Sequence, residues 1–211
     1  TDGNTQASSI QAAMQNPSRG WNQYLGNEQF TSQILAVGGS GLDGNGINEI
    51  FFAANVYGMP FDTDGTLAVT TDWYRSNRRV EGDIIFNTAY TWDSYRGNLR
   101  GGNVYDLQRV GLHELGHVLG LDHPDEAGQT VNAIMNSHAS NTDSLTADDI
   151  AGAQSLYGPP GVPSNDNFAA AVNYGDGTFI NIFFNTNATK EPGEPNHGGN
   201  SGGRSVWWKW T

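Results

Sequence analysis

Residues 113–123 read His-Glu-Leu-Gly-His-Val-Leu-Gly-Leu-Asp-His, and this run restricts what the chain can fold into more than any other feature. Two histidines four apart on a helix lie one turn apart on the same face. The imidazoles of His113 and His117 can therefore reach one metal ion. Glu114 follows the first of them one step round the helix, close enough to take a proton from a metal-held water without itself ligating. A helix that simply continued would carry His123 away from the site. Gly120 permits positive φ, so the chain can turn there and bring His123 back to the metal. Three neutral imidazoles leave a fourth tetrahedral position open, which marks a catalytic rather than a structural zinc. At roughly one in twenty per position, five fixed positions recur by chance about once in three million windows. A chain of 211 residues is far too short for that coincidence.

Composition narrows the surroundings of this site. The chain has no cysteine, which excludes disulfides, thiolate zinc, iron–sulfur clusters and a thiol nucleophile. Its net charge of -12 comes from 22 acidic and 10 basic residues. That balance argues against nucleic acid or an anionic membrane surface as partner, and it leaves carboxylates free to hold calcium. No apolar run is long enough to span a bilayer, so no membrane insertion is expected. The opening residues TDGNTQASSI do not read as a signal peptide, so any export signal or propeptide is expected to be already removed. Length allows one full domain plus a small extra piece. The 28 glycines and the low charged fraction of 15% point to long loops and β-structure rather than a helical bundle.

The periodicities place the elements. Residues 5–25 read as a helix with a break, Ile10, Ala13 and Met14 at helical spacing and Pro17 and Gly20 interrupting. Thr31–Val37, Ile47–Ala53, Leu67–Trp73 and Asp83–Asn87 read as strands. Asp106 suits the N-cap of a helix from Leu107 to about Leu119, with Gly120 as its left-handed stop. A long loop follows to Ser144. Thr146 and Asp149 form a capping-box pattern for a last helix that runs through Leu156 and ends at Gly158-Pro159-Pro160. Gly158–Asn165 reads as a linker. Beyond it, Thr178–Phe184 and Ser205–Trp210 are strand-like, and no helical pattern is longer than Phe168–Val172.

With these residues in place, HELGHVLGLDH resembles the extended zinc signature of the metzincins. Ala133-Ile134-Met135-Asn136 resembles their Met-turn, in which Met135 would pack beneath the zinc ligands. The resemblance is closest to the matrixins, of the bacterial secreted type. LTADDIAGAQSLYG at Leu145–Gly158, GINEIFFA, PFDTDGTLAVT, and GDIIFN followed by Trp92 all carry it. Astacins and serralysins place a tyrosine two residues after the methionine, where this chain has Ser137. The resemblance covers residues 5–158 and implies an α+β catalytic domain with a mixed twisted sheet and three helices, lacking its first strand. With no histidine before His113, the loop-bound structural zinc of animal matrixins is not expected. Residues 166–211 resemble the beginning of a pre-peptidase C-terminal-like module, a partial β-sandwich. The implied domains are 1–158 catalytic, 159–165 linker and 166–211 incomplete β module.

The resemblance implies a secreted zinc-dependent endopeptidase, a monomer, acting on protein or peptide substrates. Its site residues would be His113, His117 and His123 on one Zn2+ and Glu114 as catalytic base. Calcium is a second candidate ion, with Asp62, Asp64 and Asp43 as loop ligands; simple Asx turns account for these residues equally well. In matrixins the residue matching Arg109 helps set the depth of the S1′ pocket, the hollow for the side chain just after the cut bond. Arg109 lies one helical turn before His113, and the alternatives are a solvent-facing side chain or a pair with Asp106. The rival reading for the whole chain is a catalytically idle protease fold kept for adhesion or carbohydrate binding. Retention of Glu114 argues against it.

Overall fold

The computed structural model describes residues 6–26, 30–35, 41–61, 65–76, 78–173, 185, 187–196 and 199–209. Among these residues there are three α-helices: α1 (Gln6–Gln15), α2 (Leu107–Leu119) and α3 (Ala147–Tyr157). The strands are β1 (Ile50–Ala53), β2 (Ala68–Arg75), β3 (Arg78–Asn87), β4 (Thr91–Asp93), β5 (Val104–Asp106), β6 (Val172–Asn173) and β7 (Trp208–Lys209). The expected α+β architecture with a mixed sheet and three helices is what the chain adopts.

The main sheet has the order β1-β3-β2, with β1 parallel and β2 antiparallel to β3. Among the described residues β2 is thus an edge strand. The central strand β3 carries Ile84, Ile85 and Phe86, all fully buried, as expected of a strand covered on both faces. Ile84 and Phe86 join one core cluster with Ile10, Ala13 and Met14 of α1 and with Leu107, Leu112 and Leu115 of α2. Helix α1 lies close against α2, where a Cβ on Gly111 would stand 3.5 Å from the Ala13 Cβ. Trp21, fully buried, donates its indole N–H to Leu112 O at 2.8 Å and so ties the first segment to the middle of α2.

Several elements depart from the sequence expectation. The helical pattern over 5–25 resolves into α1 and a short 3-10 turn at Trp21–Gln23. At Gly20 the chain folds back so tightly that a Cβ would come 2.7 Å from Met14 O. Thr31–Val37 is not a strand over its described part: residues 31–35 are exposed and unpaired with the sheet, and 36–37 lie outside the described residues. β1 starts at Ile50 rather than Ile47, because the N–H groups of Ile47 and Glu49 are taken by the side chains of Asn45 and Asp83. β3 reaches back to Arg78, five residues before the expected start at Asp83. Its charged half, Arg78, Arg79 and Glu81, carries no β signal of its own and is held by pairing with β2. β4 and β5 form a parallel pair of three residues each, too short to leave a periodic trace.

In the last part of the chain, the described residues of Ser205–Trp210 contribute Trp208–Lys209 as strand, paired in parallel with Val172–Asn173. Phe168–Val172 is a 3-10 turn, Phe168–Ala170, running into β6. The expected strand at Thr178–Phe184 lies outside the described residues, as do His197 and Trp210.

Candidate active site

Helix α2 carries the site, and its two ends are fixed by the residues the sequence singled out. Asp106 ends β5 and caps the helix, its carboxylate accepting from Gln108 N–H at 3.3 Å. Gly120 ends it with φ 94° and ψ 22°, the left-handed conformation that a side chain would strain. The turn lets Leu121 N–H reach Gly116 O at 3.0 Å. His123 then lies beside the two helical histidines.

The three imidazole Nε2 atoms converge. His117 Nε2 stands 3.0 Å from His113 Nε2 and 3.1 Å from His123 Nε2, and the His113–His123 separation is 3.2 Å. Among the described residues these three form the group able to hold a metal ion. The opposite nitrogens explain why a cation fits. His113 Nδ1 lies 2.8 Å from Ile134 O, and His117 Nδ1 lies 2.8 Å from Leu121 O. A carbonyl can only accept, so each Nδ1 carries the proton and each Nε2 presents a bare lone pair. Lone pairs crowded this closely repel one another unless a cation sits between them. The spacing also suits zinc, whose bonds to imidazole nitrogen are about 2.0–2.1 Å long in tetrahedral geometry. Burial pushes the His113 and His117 pKa values down, which keeps both rings in the neutral, ligating form.

His123 is oriented differently. Its Nδ1 meets the Glu126 carboxylate at 3.0 Å, and Glu126 is largely exposed. Sequence reasoning missed Glu126; a carboxylate three residues past the last ligand was the available signal. It also missed Thr70, which no pattern marks. Thr70 sits on β2, and its hydroxyl donates to Glu114 Oε2 at 2.7 Å. That bond aims the Glu114 carboxylate from the sheet side. Burial raises the Glu114 pKa, opposed by the Thr70 hydroxyl and the nearby histidines. A carboxylate raised towards neutrality is suited to exchanging protons at physiological pH.

Met135 is buried. It packs so tightly on α2 that a Cβ at Gly116 would overlap its sulfur. The turn carrying it is held by α3. Asp149, the third residue of that helix, accepts from Ile134 N–H and Met135 N–H, both at 3.0 Å. The same carboxylate accepts from Thr146 N–H at 2.7 Å as part of the capping box. Since Ile134 O in turn holds His113, the N-terminus of α3 braces that imidazole.

A cleft of about 1110 Å³ runs past these groups. β2 residues 68–70 border one side, and Arg109, Val110 and residues 139–140 border the end beyond His113. Arg109 is buried and does not face solvent. Its guanidinium donates to Ser140 O at 2.6 Å and to Gly97 O, and its Nε stands 3.8 Å from Asp106. Arg109 thus lines the cleft within ion-pair distance of Asp106. Of the candidate calcium residues, Asp43 is exposed on a turn, and Asp62 and Asp64 lie outside the described residues.

Comparison with known proteins agrees with this geometry. The family model described as matrixin matches residues 41–158. Macrophage metalloelastase of Oryctolagus cuniculus is 36% identical over 112 residues, covering 53% of this chain and 23% of that protein. Matrix metalloproteinase-16 of Homo sapiens is 32% identical over 113 residues, 53% of this chain and 18% of that protein. Interstitial collagenase of Equus caballus is 38% identical over 101 residues, 47% of this chain and 19% of that protein. The chain thus spans about a fifth of the length of these relatives.

Proposed function

Because this chain belongs to the matrixin family, we propose that it is a zinc-dependent endopeptidase acting on extracellular protein or peptide substrates. The observation that carries the reading is the convergence of three Nε2 lone pairs beside a buried, aimed carboxylate. In this reading His113, His117 and His123 hold the zinc, and Glu114 is the catalytic base. Zinc bound there supplies a Lewis acid that polarises the carbonyl and acidifies water. Glu114 takes the proton of the attacking water and delivers it to the leaving amine. Thr70 holds that carboxylate in place through the transfer. The free edge of β2 offers unpaired backbone groups to an extended substrate. Such pairing asks for chain on both sides of the cut bond, which favours cleavage within a chain.

Arg109 closes the far end of the cleft and, in this reading, favours medium-sized apolar side chains after the cut bond. Calcium at Asp62, Asp64 and Asp43 belongs to the same proposal, supported by their place in the resemblance. A rise in melting temperature on adding calcium to chelator-treated, zinc-reloaded protein would test it. The catalytic unit is taken as residues 1–158, followed by the linker 159–165 and the module 166–211; the end of α3 at Tyr157 supports this division.

The test of the main reading is digestion of casein or gelatin by the purified chain, with zinc measured by elemental analysis. Zinc should be present at one per chain and lost in His117→Ala. Glu114→Ala should keep zinc and lose activity by about 10²–10⁴-fold. Zinc retained with unchanged affinity in His117→Ala would reject the ligand assignment. More than about a tenth of wild-type turnover in Glu114→Ala would reject the base.

A further inference from the structure

The cleft wall beyond His113 is made by a stretch with no regular structure. Residues 136–144, between the Met-turn and the start of α3, form neither helix nor strand. Such a segment keeps one shape only if something fixes its backbone. Here the fixing comes from a second irregular segment, residues 94–100, part of the connection from β4 to β5. Gly97 N–H donates to Asp143 Oδ2 at 2.7 Å. The Arg96 guanidinium donates to Asp143 O at 2.7 Å, and Leu99 N–H donates to Asn141 Oδ1 at 2.9 Å. Asp143 is thus gripped twice, once by its carboxylate and once by its carbonyl.

Arg109 reads the result. Its guanidinium donates to one carbonyl from each segment, Ser140 O and Gly97 O. It can reach both only while the two segments are held together. Leu99, Ser140 and Thr142 line the cleft at this end. If the segments parted, the wall would move outward and Arg109 would lose one of its two anchors.

We infer that Asp143 is a positioning residue for side-chain selection: it latches the 136–144 segment to the 94–100 segment and thereby fixes Arg109 and the size of the cleft beyond His113. The inference rests on the peptidase reading for what the cleft accepts. The latch itself rests on the hydrogen bonds alone. The charge balance is consistent with it. Burial works against the Asp143 carboxylate, yet Gly97 N–H, the Ser144 hydroxyl and Arg96 outweigh it and leave its pKa lowered.

The experiment uses the full zinc-loaded chain and two peptides that differ only in the residue after the cut, Leu or Trp. Asp143→Ala should raise the Trp-to-Leu ratio of kcat/KM by about tenfold, with zinc content unchanged. Hydrogen exchange at the amides of Gly97 and Leu99 should quicken in the same variant. Asp143→Asn keeps an oxygen that can accept from Gly97 N–H, so it should hold both the ratio and the slow exchange near the wild type. A wild-type ratio in Asp143→Ala despite quickened exchange would overturn the inference. So would equal shifts in the Ala and Asn variants, which would point to charge rather than to a latch. Should Asp143→Ala fail to fold, Asn141→Ala decides: it frees only Leu99 N–H and should shift the ratio the same way by a smaller factor. No shift there counts against the latch. A wild type that cleaves neither peptide removes the peptidase reading and the selectivity claim together. An unaltered ratio in an active protein removes the selectivity claim alone.

Discussion

The three histidines face the same point but are held by unlike partners. Two lean on backbone carbonyls, Ile134 O and Leu121 O, that the fold cannot withdraw. His123 leans on an exposed side chain, Glu126. A carboxylate behind a ligating imidazole fixes its orientation and raises its basicity, and losing such a partner typically costs about 10–100-fold in metal affinity. Glu126→Ala should therefore weaken zinc binding by about that factor, measured by competition with a chelator. Fold and melting behaviour of the zinc-free protein should barely change, because Glu126 is largely exposed. Unchanged chelator competition would show that the Glu126 contact does not orient His123. The clustering of His113, Glu114 and His117 was legible in the sequence because helical spacing sets them together, and Gly120 marked the turn that brings His123 beside them. Thr70 was not, since a threonine on a strand 44 residues earlier meets Glu114 only once β2 is laid beside α2.

Among the elements, α2 was readable to the residue because each of its ends has a chemical stop: the Asp106 carboxylate and the positive φ of Gly120. The same holds for the start of α3, where Asp149 serves both its own helix and the Met-turn. Strands β4 and β5 were invisible, and the charged half of β3 was missed, because a neighbour strand rather than any apolar alternation creates them. What the sequence could not reveal at all is how closely elements approach. Gly116 is an example. Within the signature it reads as a weak helix residue, and replacing it by Ala should help an isolated helix by about 1 kcal/mol. Packing reverses that sign, since the added Cβ would overlap Met135 and would stand 3.3 Å from the Trp21 ring. Gly116→Ala should destabilise by about 1–3 kcal/mol, the usual cost of overpacking a core, as read from chemical denaturation of the zinc-free protein. A neutral or stabilising effect would mean that the Met-turn yields readily and does not brace the ligands.

On the scale of the whole molecule, the described C-terminal residues share few regular elements with the rest, and limited proteolysis should cut within 159–165 to leave an active core. Protection of that stretch would argue for one undivided unit. The response to acid involves the entire fold and has a definite sign. Burial lowers the His113 and His117 pKa values below the ordinary 6.5. As pH falls, the unfolded chain therefore takes up these protons before the folded one does. The stability the two rings contribute is complete above 6.5 and drains away as pH drops from there through their folded values. Four carboxylates work the other way, among them Glu114, raised by burial above its ordinary 4.5. Burial raises Asp72, Asp83 and Asp106 above 3.8, so the folded state binds their protons first and gains as pH falls through those raised values. Asp143, lowered, loses its contribution only at pH below 3.8, well under the histidine window. In zinc-free protein the melting temperature should thus decline as pH falls below about 6.5 and then flatten as the carboxylates begin to compensate. Zinc-loaded protein should decline more steeply over the same window, because protons compete for the Nε2 lone pairs that hold the metal. Melting curves of both forms across that range provide the check. A zinc-free melting temperature that stays level or rises as pH falls from 7 to about 5.5 would mean that the histidines are not buried as neutral rings, and the lone-pair argument for the metal would go with them.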